Sequence, residues 1–327
     1  MIGYVTLDKG HELQMKSTGT SALTAKNGNG NSAIHRIIRW FMHGITWRIN
    51  ASTRIKKLLG PVAMERLIFY HVHGYFPHLR HPHTFNEKIC NRKLFTPIPQ
   101  ASILADKVAV RKFVAERGYE DILNEILMVT TRPEEIDFSK LPQRFVIKAS
   151  HGSGWDIIVR NKEEIVPEEI VDKCQEWMKS VYGESLRESH YRDIPPAIIV
   201  EKFLFDTQYE VPLDYKMHVF HGKCHFIQVD YGRFSEHTRT IYDRNWEPQD
   251  FTFTYPRKIV DTKRPATLGR MLEIAEALAR DMDYCRVDLY SVNDHDVYFG
   301  EMTLTPAGGY ELFGMNAKGD YLMGSYW

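Results

Sequence analysis

The sequence lacks the features that mark secreted, zinc-binding or membrane-spanning proteins. It has four cysteines in 327 residues, none in a Cys-x-x-Cys pair, so the spacing predicts neither a disulfide framework nor a zinc site. It has no run of about 18 apolar residues, which a spanning helix needs. Its first residues also lack the charged-then-apolar order of a signal peptide. We therefore expect a cytoplasmic protein.

A net charge is also lacking, because 42 Lys and Arg residues balance 42 Asp and Glu residues. This balance excludes a chain that is basic throughout, so no nucleic-acid partner is expected. The charge is unevenly spread, however. Residues 1–60 carry nine basic and two acidic residues, which leaves 33 basic and 40 acidic residues in 61–327. The counts predict a basic arm on a mildly acidic globular body.

The chain divides into three predicted parts: a basic tail (1–60), a helical and His-rich lead-in (61–105) and a larger domain (106–327). In the tail, residues 33–49 form an amphipathic pattern with Trp and Arg side chains. Packing of this helix on the body is the preferred interpretation, and peripheral contact of residues 33–57 with the inner face of a membrane is the alternative. The lead-in histidines match no metal-ligand spacing, so we interpret them as surface residues; they are His71, His73, His78, His81 and His83.

The domain at 106–327 alternates helical and strand patterns, which predicts an α/β (α+β) fold. Helices are predicted at 61–70, 106–118, 167–183 and 267–282, and strands at 126–129, 144–150, 156–160 and 197–204. A hairpin at 215–230 should turn at 221–223, and two final strands at 285–290 and 297–302 should turn at 293–294.

Two lysines and a glycine-rich loop form the first candidate site. Lys107 opens the predicted helix at 106–118, and Lys148 ends a strand that leads into the loop HGSG at 151–154. Backbone N–H groups of such a loop can approach phosphate oxygens, and a strand-borne lysine adds a fixed positive charge. A tight hairpin explains HGSG equally well. The pair Glu201 and Lys202 ends an apolar strand that could meet a purine edge, although an ordinary strand with a polar end is the simpler interpretation.

The final two strands carry the stronger signal. Asp288 and Glu301 lie thirteen residues apart on consecutive strands, where two carboxylates can hold Mg²⁺ against nucleotide phosphates. Arg286 lies two residues before Asp288 and therefore on the same strand face, where it can meet developing negative charge. A surface ion pair between Arg286 and Glu301 is the alternative.

The order of these motifs, VIKASHGSG, VEKFL, LDYK, RVDLY and YFGEMTLTPAGG, resembles the ATP-grasp fold. In detail it is similar to the TupA-like branch of teichuronopeptide and other surface-polysaccharide biosynthesis, over roughly residues 84–310. The resemblance implies two α/β subdomains that sandwich ATP. It also implies phosphate ligands at Lys107 and Lys148 and loop contacts with the phosphates at Ser153 and Gly154. The adenine pocket would include Glu201, Lys202 and Leu204, and Asp214 and Lys216 would contact the ribose or the phosphates. Asp288 and Glu301 would be Mg²⁺ ligands, and Arg286 would lie beside an acyl phosphate.

The chain departs from the superfamily in two places. Thr303 stands where many relatives have a metal-binding Asn, which makes this third metal contact weaker. The lead-in is also too short for the separate domain that usually precedes the core, so the acceptor pocket should be built differently.

The resemblance implies a Mg²⁺-dependent ligase that uses ATP to join carboxylate- and amine-bearing small molecules or polysaccharide precursors. Lys216 and Arg286 would act in catalysis. Three alternatives stay open at this point. A glycosyltransferase would use the Asp-x-Asp pattern at 281–283, and a kinase or a non-catalytic nucleotide-binding protein could share the fold.

Overall fold

The computed structural model describes residues 53–183, 187–232, 236–258, 262–313 and 317–327. The tail pattern at 33–49 lies outside these residues, so its predicted helix stays a prediction. The described chain contains two antiparallel sheets and seven α-helices. The helices are α1 (Thr53–His73, kinked at Gly60), α2 (Phe85–Phe95), α3 (Ala101–Ala105), α4 (Val110–Glu116), α5 (Pro167–Lys179), α6 (Leu268–Leu278) and α7 (Lys318–Ser325).

The first sheet has four strands in the order β1-β4-β2-β3. Its strands are β1 (Ile126–Thr130), β2 (Phe145–Ala149), β3 (Asp156–Val159) and β4 (Ile198–Lys202). On one face, Phe145, Ile147 and Ile157 pack with Trp177 of α5 in a core cluster. The β-branched residues that predict these strands therefore also supply the surface on which the helix is buried.

The second sheet has five strands in the order β7-β6-β5-β8-β9. They are β5 (Asp214–Phe220), β6 (Lys223–Tyr231), β7 (Thr238–Asp243), β8 (Tyr284–Val292) and β9 (Asp296–Thr303). Alternate residues of a strand face opposite sides. Odd-numbered residues of β5 and β8, such as Met217 and Val287, pack with α6 in the largest core cluster. Even-numbered residues of the same strands therefore lie on the other face.

Both predicted hairpins are confirmed. β5 and β6 turn at His221 and Gly222, and β8 and β9 turn at Asn293 and Asp294; all four have positive φ. The first turn has two residues, because Phe220 pairs with Lys223, and the second has three, because Val292 pairs with Asp296. Gly, Asn and Asp are favoured in such turns, where φ is positive.

Three helix predictions need correction. Lys107 does not lie in a helix, because residues 106–109 form a turn and α4 begins at Val110. The helix predicted at 167–183 ends at Lys179, and the helix predicted at 267–282 ends at Leu278. Four elements had no prediction: β7, α2, α3 and α7. The sequence signal for α2 was a capping box, in which Thr84 and Glu87 satisfy each other's backbone N–H groups.

Helix α2 joins the lead-in to the end of the chain. It packs on α7 and on the turn Pro306–Gly309. Gly309 has φ +83°, and a Cβ at this position would lie 2.7 Å from Cys90 Sγ. Only glycine therefore allows this turn to approach α2 so closely. Within the described ranges, no helix combines the length and apolar character needed to cross a bilayer.

The predicted α/β (α+β) class is confirmed by these two sheets and their helices. Of the lead-in histidines, His78, His81 and His83 are exposed, as predicted. His73 is instead partly buried, with Nε2 3.2 Å from the carbonyl oxygen of Gly309, and burial lowers its pKa to about 4.

Candidate active site

The two carboxylates of the final strands lie side by side, because Asp288 of β8 pairs directly with Glu301 of β9. Arg286 bridges them. Its Nε donates to Asp288 Oδ1 at 2.7 Å, and its Nη2 donates to Glu301 Oε1 at 3.1 Å. The ion pair of the alternative interpretation therefore exists, but it is not a plain surface pair, since Arg286 is buried and also bonds the buried Asp288, while Glu301 is partly exposed.

Lys216 extends this charged row onto β5. Its Nζ donates to Asp288 Oδ2 at 2.9 Å and also to Asp214. The register explains the contact, because Lys216 lies opposite Asp288 in the β5–β8 pairing. We call Asp214, Lys216, Arg286, Asp288 and Glu301 the charged row. It joins three adjacent strands of the second sheet on one face.

Electrostatics keep the carboxylate of Glu301 ionised. Burial by itself would raise its pKa, but the positive charges of Arg286 and Lys107 hold the pKa at about 2. For Asp288, burial raises the pKa against the attraction of Arg286 and Lys216. The row is thus a network in which each carboxylate has a cation within bonding distance.

Lys107 lies in the turn before α4 and approaches the charged row from there. Its Nζ donates to the carbonyl oxygen of Gly152 in the glycine-rich loop. Burial lowers the pKa of Lys107, and Glu301 raises it. The structure therefore places Lys107 at the loop at 151–154 and within electrostatic range of Glu301. In the same loop Gly154 has φ +70°, and the Ser153 side chain bonds Tyr182.

Lys148 lies on the first sheet and is paired with Glu201. The Lys148 Nζ donates to Glu201 Oε2 at 2.7 Å, and Arg111 Nη1 lies 3.9 Å from Glu201 Oε1. Burial opposes the charge on Lys148, but Glu201 raises its pKa above the ordinary value. The strand register explains this ion pair, because Lys148 on β2 and Glu201 on β4 lie near each other on adjacent strands.

A cavity of about 380 Å³ lies between the two sheets. Its wall includes five residues predicted to bind nucleotide: Lys148, Glu201, Lys202, Leu204 and Asp214. Val146 and Ile158 of the first sheet add apolar surface. An apolar slot with a few polar groups is the usual form of a site for a flat heterocycle. We call this space the nucleotide cavity.

The backbone at Glu201 differs from the predicted strand end. Glu201 pairs with Ile126 on one side and Val146 on the other, so it lies inside the sheet. The strand ends at Lys202, whose carbonyl oxygen accepts from Asn124 Nδ2 at 2.8 Å. Phe203 and Leu204 follow outside the strand and line the cavity. The strand predicted at 197–204 thus leaves the sheet two residues earlier than predicted, after Lys202.

Several cavity residues had not been predicted. Val146 and Ile158 could have been found by alternation, since Val146 lies two residues from Lys148 on the same strand face. Asn124 comes from a loop, and no local pattern in the sequence indicates that it lines the cavity. The same holds for Arg111 of α4, which does not line the cavity but lies near Glu201.

The residues present fit a magnesium ion that bridges phosphates. Within the described residues, no three His, Cys, Asp or Glu side chains form a complete metal-binding group. Mg²⁺ is commonly held by one or two carboxylates, with phosphates and water supplying the other ligands. Asp288 and Glu301 meet that requirement. Thr303 Oγ1 donates to Glu301 Oε1 and accepts from Arg286 Nη2, both at 2.9 Å; its role as a third metal ligand stays a prediction.

The Asp-x-Asp pattern at 281–283 is engaged in ion pairs. Asp281 Oδ2 accepts from Arg117 Nη2 at 2.7 Å, and Asp283 Oδ1 accepts from Arg92 Nη2 at 2.5 Å. These contacts hold the turn between α6 and β8 against α4 and α2. They favour a structural role over the nucleotide-sugar site of a glycosyltransferase.

Solved structures similar to the chain include several ligases. The D-alanine–D-alanine ligase from Bacillus anthracis is 20% identical over 62% of this chain and 57% of that chain, with a TM-score of 0.36. The L-amino acid ligase from Bacillus licheniformis is 15% identical over 63% and 42%, with a TM-score of 0.37. The ATP-grasp ligase PsnB, complexed with a minimal precursor, is 11% identical over 63% and 54%, with a TM-score of 0.36. The chain thus spans about half the length of these proteins.

No protein with a curated description matches the sequence. A family model described as TupA-like ATPgrasp matches residues 87–327. The chain belongs to this TupA-like ATP-grasp family and has the ATP-grasp fold, which confirms the resemblance inferred from the motif order.

Proposed function

We propose that this member of the TupA-like ATP-grasp family is an ATP- and Mg²⁺-dependent carboxylate–amine ligase. The observation that carries the proposal is the continuity between the nucleotide cavity and the charged row. Asp214 lines the cavity and contacts Lys216, which contacts Asp288 beside Arg286 and Glu301. A nucleotide in the cavity would thus direct its phosphates toward paired cations and carboxylates.

The reaction has two steps. A substrate carboxylate oxygen attacks the γ-phosphorus of ATP, the bond to the β-phosphate oxygen breaks, and an acyl phosphate and ADP form. An amine then attacks the acyl carbon, the C–O bond to phosphate breaks, and the products are an amide, inorganic phosphate and a proton. Both steps bring anions together, so their barriers depend on neutralising negative charge.

Residues of this chain supply that neutralisation. Lys148 lies at the cavity wall and Lys107 lies at the glycine-rich loop, so we assign both to the ATP phosphates. Arg286 would stabilise the oxyanion formed when the amine attacks, and Lys216 would hold the phosphate side of the acyl phosphate. Asp288 and Glu301 would hold Mg²⁺, which when bound supplies electrostatic stabilisation of the transferred phosphate.

We further place the reaction in surface-polysaccharide assembly, because the motif order resembles the teichuronopeptide branch. The carboxylate would then come from a uronic acid or an amino acid. Peripheral contact of residues 33–57 with an anionic membrane would bring the enzyme to lipid-linked precursors. The basic excess of residues 1–60 supports this location.

The test measures nucleotide and phosphate products. The full-length protein is incubated with ATP, Mg²⁺ and pooled uronic acids and amino acids. We expect substrate-dependent release of ADP and phosphate in equal amounts. ADP without phosphate would indicate a kinase. Consumption of a UDP-sugar without ATP turnover would refute the ligase and support the glycosyltransferase.

A further inference from the structure

A second cavity of about 140 Å³ lies at the end of β8 and β9 away from the nucleotide cavity. Tyr290 of β8 lines the nucleotide cavity, and Arg286 lies four residues back along the same strand face. At about 3.3 Å per residue this is about 13 Å. Arg286 pairs with Thr303, the last residue of β9. The chain continues from Thr303 into Leu304 and Thr305, and both residues line the second cavity. Arg286 therefore lies between the two cavities.

The inner wall of the second cavity holds two cations around one carboxylate. Glu65 of α1 is fully buried. Its Oε1 accepts from Lys93 Nζ at 2.9 Å and from Tyr310 Oη at 2.6 Å. Its Oε2 lies 3.7 Å from Arg187 Nε and has no hydrogen-bond partner among the described residues. Lys93 and Arg187 both line the cavity. Among the described residues, Glu65 is thus the carboxylate that both positive side chains share within 4 Å.

Other ionisable groups near the cavity do not cancel the excess of positive charge on Lys93 and Arg187. Arg92 is paired with Asp283, and Asp193 is exposed at the rim. Burial lowers the pKa of His190 to about 4, so this ring is neutral near pH 7. Glu188 accepts from Thr305 Oγ1 at 2.5 Å, and burial raises its pKa to about 7, which reduces its negative charge.

We propose that the second cavity binds the unreacted carboxylate of a small amino acid, the substrate whose amine is joined in the proposed ligase reaction. Arg187 is the residue that recognises it, since a guanidinium can bind a carboxylate through two parallel hydrogen bonds. A cavity of about 140 Å³ has room for a carboxylate and a few carbons. The site rests on the proposed function, and α1 and α2 of the short lead-in contribute Glu65 and Lys93 to it.

The experiment compares acids with their amides. Saturation-transfer NMR measures binding of glycine and of the L- and D-isomers of alanine, aspartate, glutamate and lysine to the full-length protein with a non-hydrolysable ATP analogue. Each acid is paired with its α-carboxamide. We expect at least one acid to bind at least about tenfold more tightly than its amide, as a charged hydrogen bond provides.

Variants of Arg187 identify the residue responsible. Arg187→Gln should weaken binding of that acid about tenfold and leave both its amide and the ATP analogue unaffected, while Arg187→Lys should keep part of the preference. Arg192→Gln is the matched control, because Arg192 is exposed on the same turn and does not line the cavity. The proposal is overturned if no acid is preferred, or if the preference survives in Arg187→Gln.

The outcome can be separated from that of the proposed function. Acid binding that depends on Arg187, without release of ADP and phosphate, would support the carboxylate site and refute the ligase. Release of ADP and phosphate with no acid preferred over its amide would support the ligase and overturn this site.

Discussion

The two faces of the second sheet carry opposite chemistry, although the same strands form both. On β5 and β8, Met217, Val287 and Leu289 are fully buried against α6. Between them along the same strands, Asp288 and Arg286 are also buried, but they face the nucleotide cavity side and bind one another. Burial alone therefore does not distinguish core residues from site residues. The two groups differ in what their side chains contact, which is hydrocarbon in the core and oppositely charged groups in the site.

The difference has an energetic meaning. The apolar face stabilises the fold by removing hydrocarbon from water. The charged row has a desolvation cost that its ion pairs only offset, so it is weak evidence for stability. We therefore expect substitutions on the charged face to change activity first, and those on the apolar face to change stability first.

The largest expected effect is on the charged face. Glu301→Gln keeps the side-chain shape and removes the negative charge between Arg286 and Lys107. We expect kcat for ATP turnover to fall about 10³-fold, because a carboxylate assigned to hold Mg²⁺ is lost. The variant should still fold, since Arg286 keeps its two bonds to Asp288, but its thermal unfolding midpoint should fall because the ionised Glu301 no longer contributes to stability. Asp296→Asn, at the exposed start of the same strand, is the control. Wild-type turnover in Glu301→Gln would refute the site.

The second largest effect should be a loss of stability on substitution of an apolar residue of β8. Leu289→Ala removes a fully buried side chain, and we expect the free energy of unfolding to fall by about 2–5 kcal/mol, as measured by urea denaturation. ATP turnover per folded molecule should be unchanged. Tyr290→Phe, one residue on and at the cavity wall, should show the reverse pattern: unchanged stability and altered ATP affinity. If both variants changed the same property, the separation of the two faces would fail.

A smaller effect concerns Glu188 and Glu301, whose contributions to folding stability should depend on pH in opposite directions. Burial raises the pKa of Glu188 to about 7 from an ordinary value of 4.5, so its proton stabilises the folded state below pH 4.5, and this contribution is lost as the pH rises to 7. Relative to Glu188→Gln, the wild-type protein should lose up to about 3 kcal/mol between pH 4.5 and pH 8. Urea denaturation at several pH values measures it.

Glu301 should show the opposite sign. Its pKa is held at about 2, so its contribution to stability is present above pH 4.5 and is lost as the pH falls toward 2. A Glu188→Gln variant whose stability parallels the wild-type protein from pH 4.5 to 8 would contradict the assignment for Glu188.

The smallest effect on turnover should follow deletion of residues 1–52, which precede the part of the chain that the structure describes. We expect kcat to remain within about twofold. Binding to vesicles of anionic lipid should decrease in co-sedimentation, since each basic residue near such a surface contributes about 1 kcal/mol. Vesicles of neutral lipid are the control. Unchanged binding to anionic vesicles would refute the membrane role of the tail.

Local patterns predicted the second sheet well, for reasons that particular residues show. The two hairpin turns contain His221-Gly222 and Asn293-Asp294, whose positive φ angles suit a tight turn. Strand alternation placed Arg286 and Asp288 on one face, and a short connection placed Glu301 opposite Asp288. Strand β7 was missed because its partner in the sheet, β6, had to be known before its pattern could be assigned.

The sequence by itself determined the alternation of apolar and charged residues on β5, β8 and β9, and the order of motifs that identifies the family. These are properties of neighbours along the chain, where strand geometry repeats every two residues. The tertiary structure alone decided that Lys107 reaches Glu301 from a turn and that Glu65 joins Lys93 and Arg187. Such contacts link residues many positions apart, and no local periodicity encodes them, because they depend on how whole sheets and helices pack together.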